Sequence, residues 1–331
     1  MVPNKSAPRW QWLPGVIISL AALFFVFRSI NLEDFARAFS MIGVPVLLAA
    51  CALWFLGIFA RALCWHLLLG KPVPYLRTFF IMNIGYLLNN IFPLRLGEFG
   101  RAAVMGKASQ KGFFHALSAI VVERAFDLAI AAGLLLFSLT FIASEQYRPL
   151  AWGILGAVVI GVVGLYLMTC WRSRIDRLTA WFSSRWPKIG HWVQPKVASV
   201  LDGFATMTNP GLFIICFLLM FVSWLLAVAL DYLLLIQVVP QVPFWWPVFL
   251  LAVTALGAAL PSAPASLGTY EGAVWGALAI LGVDSSTAIA LAIIMHAINF
   301  SLSSLSGLVG LTREGERLTT LYQRLLKEKP E

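Results

Sequence analysis

Long apolar runs alternate with short polar links along this chain. Val44–Leu69, Phe113–Ala143, Leu150–Trp171, Gly211–Val239 and Ser285–Leu311 each reach the roughly 20 residues that a helix needs to cross a bilayer. Trp12–Phe27 is shorter, but it runs into Arg28 and further spans follow, so it reads as an uncleaved first crossing. Two other runs are cut short. Leu76–Phe92 stops at Pro93 and resumes as a partly polar helix over Gly97–Met105. Phe244–Leu260 stops at Pro261 and Pro264 and resumes at Thr269–Gly282. Proline removes a helix hydrogen bond and glycine loosens the backbone, so both runs are read as broken helices. The alternating pattern of a membrane barrel is absent from the sequence. The expected fold is an all-α polytopic integral membrane protein, one membrane domain over 1–331, with about six crossings and two broken-helix hairpins.

Composition agrees. Hydrophobic residues make up 60% and charged residues 12%, where a soluble domain carries about 25% charged. The formal charge of +9 raises the question of nucleic acid, but the basic residues fall in links and tails between apolar runs, which is the membrane pattern. The four cysteines sit in apolar runs without metal-ligand spacing, so neither metal nor disulfide is expected. The one long polar stretch, 172–207, holds Arg172, Arg174, Arg177, Arg185, Lys188 and Lys196. Ile175, Leu178 and Phe182 share a helical face beside Trp181 and Trp186, which suits either a basic amphipathic helix on an anionic membrane surface or a plain cytoplasmic loop.

Part of the chain is said twice. Val73-Pro74-Tyr75 and Pro93-x-x-Leu96-Gly97-x-Phe99 recur about 170 residues later as Val242-Pro243-Phe244 and Pro264-x-x-Leu267-Gly268-x-Tyr270. At a similar offset Arg61 matches Asp231 and Glu123 matches His296. The units are 44–143 and 211–311. If each broken element is re-entrant, Lys71, Arg77, Lys107, Lys111, the 172–196 stretch and the tail from Arg313 all lie on one side. The positive-inside rule makes that side cytoplasmic, with both termini. An odd number of crossings then separates the copies, so they are inverted repeats whose Pro/Gly tips meet near the midplane, a recurring transporter plan. Gly272 and Gly276 are expected to pack the second hairpin within one chain, or alternatively to serve a homo-oligomer.

Ionisable residues in such a setting are candidate functional groups. Arg95, Glu98 and Arg101 are spaced by three along the first broken element; Glu123 and Asp127 share a helix face with Arg124 beside them. Three arginines and three carboxylates either neutralise one another as a structural network or present arginines to an anionic headgroup. In the second reading Arg95 contacts the phosphate, with Arg101 or Arg124 as second donor, and the carboxylates hold arginines or carry a coupling proton. The second copy is milder, with Ser262, Ser266, Thr269, Tyr270 and Glu271, while His296, Asn299 and Ser303 line one face of the last helix above Gly307. Arg61 and Asp231 are supporting residues. They pair directly only if Arg61 extends toward the centre; otherwise Arg61 reaches back to the cytoplasmic surface.

The motifs N-x-x-F-P-x-R-x-G-E-x-x-R (Asn89–Arg101), E-R-x-x-D (Glu123–Asp127) and P-x-x-L-G-x-x-E (Pro264–Glu271) resemble the flippase-like transmembrane domain of lysylphosphatidylglycerol synthases. That family includes stand-alone membrane proteins and archaeal members tied to dolichol-linked glycosylation. The resemblance implies translocation of a phospholipid, aminoacyl-lipid or polyprenyl-phosphate between leaflets of the cytoplasmic membrane. Synthase members carry a soluble aminoacyl-transfer domain after this region; here the sequence stops at Glu331, so lysyl transfer is not expected. The alternatives are a membrane-embedded transferase and a small-anion carrier. No D-x-D, H-E-x-x-H or G-x-S-x-G appears, so the expectation is not an enzyme. Membrane lipids are the expected partners, with no cofactor and no nucleic acid; a separate lipid-modifying enzyme is a further candidate partner. The topology is directly testable. A membrane-impermeant thiol reagent added outside should label cysteines placed at Gln146 or Gln241 and miss one at Ser184. Labelling at Ser184 in intact cells would overturn the re-entrant arrangement.

Overall fold

The computed structural model describes residues 40–92, 96–142, 171–204, 209–258 and 263–318, with scattered positions at 33, 36, between 149 and 167, and at 321. Among these there is no strand. The helices are α1 (Val44–Leu68), α2 (Tyr75–Ile91), α3 (Gly97–Ser109), α4 (Phe113–Leu139), α5 (Arg172–Arg185), α6 (Pro187–Gly203), α7 (Pro210–Val238), α8 (Trp245–Ala258), α9 (Thr269–Ile280) and α10 (Ser285–Glu314), with a 3-10 turn at Pro264–Ser266 between α8 and α9. The expected crossing Trp12–Phe27, the tip residues Pro93, Arg95, Pro261 and Ser262, and most of Leu150–Trp171 lie outside the described residues.

Local chemistry sets the boundaries. Asn209 caps α7 by accepting from the Leu212 amide at 3.1 Å, and Asp284 caps α10 by accepting from Thr287 at 2.9 Å. Gly315, at φ +63°, ends α10 in the left-handed cap that glycine favours. By length and composition α1, α7 and α10 can each cross a membrane. At 27 residues α4 is as long, but it carries Glu123, Arg124 and Asp127. The broken elements are shorter: α2, α3, α8 and α9 have 17, 13, 14 and 12 residues.

The packing has a two-part order. α1 lies antiparallel to α7, with Gly57 against Ser223 and the Cys216 thiol on the Cys64 carbonyl. α2 folds back along α3, and α8 packs on α9. α10 covers α2, and α4 covers α8. Exchanging α1–α4 with α7–α10 leaves this set of helix pairs unchanged. The core divides the same way. One cluster joins the second half of α1 to α2, α3, α4 and the first half of α7, around Trp65, Met82 and Met105. The other joins the first half of α1 to the second half of α7 and to α8, α9 and α10, around Leu234, Leu250 and Leu291.

Small residues permit these approaches. A Cβ on Gly97 would fall 1.9 Å from the Gly85 carbonyl oxygen, and one on Gly307 2.5 Å from that of Asn83. Elsewhere the close contact falls on a different glycine. Gly276 has nothing within 4 Å of its Cβ direction; α8 meets α9 through Gly257 against Ala273 instead, because that residue faces the partner helix. Within the polar stretch, residues 172–203 form not one helix but two, because Pro187 restarts the chain after Trp186. α6 docks on α4, where Gly203 approaches Ser118, while Leu178 and Trp181 of α5 stay exposed. Near the end of α10 Arg77 makes a two-pronged pair with Glu314, both bonds 2.8 Å, and Lys107 meets Glu316 at 2.9 Å.

Gly97→Ala should therefore lower the melting temperature sharply, since overpacking costs about 1–3 kcal/mol or more and no flexible side chain can give way. Gly133→Ala, with nothing within 4 Å, should leave it unchanged or slightly higher. Equal thermal stability of the two variants in detergent would contradict the close α2–α3 contact.

Candidate functional site

Glu123 is the centre of the polar interior, with no exposed surface. Its Oε1 accepts from Arg61 Nη1 at 3.2 Å and from Arg124 Nη2 at 2.8 Å. Arg101 Nη1 lies 3.0 Å from its Oε2, an ion pair off the line of a hydrogen bond. Arg61 also grips Asp127 with two parallel bonds of 2.8 Å, the geometry a planar guanidinium favours. Arg124 Nη1 pairs with Asp127 at 3.1 Å, and Trp224 of α7 donates its indole N–H to the same carboxylate at 2.9 Å. Glu98 takes Nε and Nη2 of Arg101 at 3.0 and 2.7 Å. The Arg101 guanidinium sits 4.9 Å from the Trp65 ring. Three guanidiniums and three carboxylates thus tie α1, α3, α4 and α7 together.

This corrects one expectation. Arg61 reaches neither Asp231 nor the surface; it completes the network. The reason is register. With α1 and α7 antiparallel, residue 61 lies alongside residue 219, and Asp231 alongside residue 49, twelve residues or about 18 Å away along α1. A sequence match at equal offset says nothing about contact once the two helices run antiparallel.

The network forms one wall of a cavity of about 630 Å³. Arg61, Glu98, Arg124 and Asp127 line it, and so do Asp231, Ser266, Tyr270, His296, Asn299 and Ser303 from the second half of the chain. Both candidate sets therefore face one space. Arg101, Glu123 and Glu271 are not on the lining; they stand behind it as buried supports. Arg101, at 1% exposure, is not placed to donate to a ligand. Arg95 and Ser262 lie outside the described residues. Sequence reading had not singled out Tyr86, Asn90 or Trp224, which also line the cavity; an indole or amide in an apolar helix gives no pattern by itself. More than half of the lining is apolar, including Trp54, Leu128, Leu251 and Phe300.

The two broken elements are anchored alike. The amide of Gly97, at the start of α3, donates to Asn89 Oδ1 at 2.8 Å; that of Gly268, just before α9, donates to Glu271 Oε2 at 2.7 Å. Gly268 has φ +81°, open to glycine without penalty, and Pro264 opens the turn beside it. Ala265 and Ser266 at this tip both adopt left-handed backbone, an uncommon state for residues with a side chain, and both line the cavity. Glu271 also holds the His296 ring, so α10 fixes the second tip. Asn90 donates to Ser303 and Ser304 at 2.9 Å, joining α2 to α10. Among the described residues no three His, Cys, Asp or Glu gather in a way that could hold a metal ion.

A family model, the lysylphosphatidylglycerol synthase transmembrane region, matches residues 12–307. A UPF0104 membrane protein of Methanothermobacter thermautotrophicus (strain Delta H) is 24% identical over 278 residues, covering 80% of this chain and 82% of the relative. The match takes in the broken elements, the arginine–carboxylate network and all of the cavity lining, and three helices of membrane-crossing length and composition run through the same region. The chain belongs to the lysylphosphatidylglycerol synthase transmembrane region family of membrane proteins.

Proposed function

We propose that this protein moves a phosphate-bearing lipid headgroup between leaflets through the cavity. The observation that carries the reading is the mixed lining of that cavity: fixed charges from α1, α3 and α4, a polar row on α10, and apolar side chains beside them. An amphiphile needs both kinds of surface, whereas a small soluble anion needs only the polar one. Leu128, Asn299 and Phe300, near the middles of α4 and α10, are both lining and exposed, and they form the lateral mouth in this reading. Transport is favoured over catalysis because the clustered carboxylates Glu98, Glu123 and Asp127 are each engaged with arginines, which leaves the lone Asp231 without a second carboxylate to share acid–base work.

The short helix pairs α2–α3 and α8–α9 serve as re-entrant hairpins, and the repeats are inverted. The antiparallel run of the matching helices α1 and α7 supports this, as does the exchangeable packing of the two halves. The network side of α2, α3 and α10, with Arg77, Lys107 and Arg313, faces the cytoplasm, as do both termini, in a cytoplasmic membrane.

Arg124 is the headgroup donor. It is one-third exposed, against 14% for Arg61 and 1% for Arg101. Without it, each carboxylate still keeps a cation: Arg61 on Asp127, Arg101 on Glu98, and both on Glu123. Arg124→Gln should therefore stay folded and lose about ten- to a hundredfold in headgroup-dependent translocation, the equivalent of one charge-assisted hydrogen bond. Glu123→Gln should instead destabilise the protein by about 3–5 kcal/mol, because it strips the common partner from buried guanidiniums. The check is a melting curve plus translocation of an acyl-labelled phospholipid in proteoliposomes. A folded Arg124→Gln variant moving lipid at the wild-type rate would remove Arg124 from the site.

A further inference from the structure

Asp231 is the charge that the network does not absorb. It sits in the second half of α7, is 7% exposed, and lines the cavity. Among the described residues its carboxylate accepts no hydrogen bond and pairs with no cation. The titratable groups that face the cavity from helices packed on α7 are already engaged. Arg61 of α1 and Arg124 and Asp127 of α4 hold one another, and His296 of α10 holds Glu271; α8 has no titratable side chain. Tyr270 of α9 lies on the same lining but brings no positive charge. Register keeps the guanidiniums of the network away, since Asp231 lies seven residues, about 10 Å, beyond Trp224, whose indole marks the network's level on α7. An isolated carboxylate inside a membrane protein is costly in its charged form and marks ion or proton pathways.

We infer that Asp231 is a proton-binding site that couples lipid movement to a proton gradient. The inference rests on the transport reading above and assigns its energy source. The step is a simple exchange: an O–H bond forms at the Asp231 carboxylate when the cavity faces one side, and that proton leaves to water when the cavity faces the other. The other carboxylates are unsuited to the task. Releasing Glu123 or Asp127 from its arginines to take up a proton would leave buried guanidiniums short of partners, whereas Asp231 gains and loses a proton without breaking any contact.

The test has two arms on the full-length purified protein. The first needs no transport. Infrared difference spectra of wild type against Asp231→Asn, across a pH titration in nanodiscs of phosphatidylglycerol and phosphatidylethanolamine, should show a protonated-carboxyl band that the variant lacks. Absence of that difference overturns the inference whatever the transport result. The second arm imposes a pH gradient on proteoliposomes carrying an acyl-labelled phosphatidylglycerol. One proton exchanged per lipid skews the leaflet ratio by up to about tenfold per pH unit. Asp231→Asn should lose this skew, and Asp231→Glu should keep part of it. Lipid movement indifferent to the gradient in wild type overturns the proton site and leaves the transport reading standing. No movement under any gradient overturns both. Melting curves accompany each variant; a skew retained by folded Asp231→Asn assigns the proton elsewhere.

Discussion

The burial of Glu123 is the constraint on which the rest of the interior depends. A carboxylate with no solvent contact is tolerable only with cations around it, and three guanidiniums supply them from three helices. Each guanidinium in turn needs further acceptors, which Glu98 and Asp127 provide. The result is a closed set of charges that fixes α1, α3 and α4 relative to one another and reaches α7 through Trp224. The open space beside it is bounded by helices that cannot shift independently without separating buried charges.

Much of this was legible in the residues. The end of α2 at Ile91, the turn at Pro264, the short helices around them and the polar row His296–Asn299–Ser303 all follow from helix chemistry and spacing. The gathering of Glu98, Arg101, Glu123, Arg124 and Asp127 was also readable, because apolar surroundings leave such groups nowhere else to go. What could not be read was the identity of partners. Arg61 announces a need for anions but not which ones; its partners lie 62 and 66 residues away and are chosen by the antiparallel seating of α1. The contacts of small residues were hidden for a related reason. Spacing by four fixes a face, and only the neighbouring helix decides whether that face is covered, as the open Gly276 and the crowded Gly257 show.

The two halves are alike in packing and unlike in chemistry. An uncharged amide from Asn89 secures the first tip, whereas a carboxylate bonded to a histidine secures the second. Helices α1–α4 concentrate the paired charges, and α7–α10 contribute hydroxyls, an imidazole and the solitary Asp231. Such a division sets paired charges and uncharged polar groups on different helices around the same cavity.

The pairs that clasp the end of α10 behave differently from the interior set. Arg77 and Lys107 are 44% and 68% exposed, so dissolved ions reach them, while Glu123 is sealed from the electrolyte. The screening length shrinks from about 10 Å at 0.1 M salt to about 3 Å at 1 M. Ionic strength therefore acts selectively on this molecule. It loosens the grip of α2 and α3 on the last turn of α10 while the buried charges stay locked, so the same protein is rigid at its heart and salt-responsive at its rim.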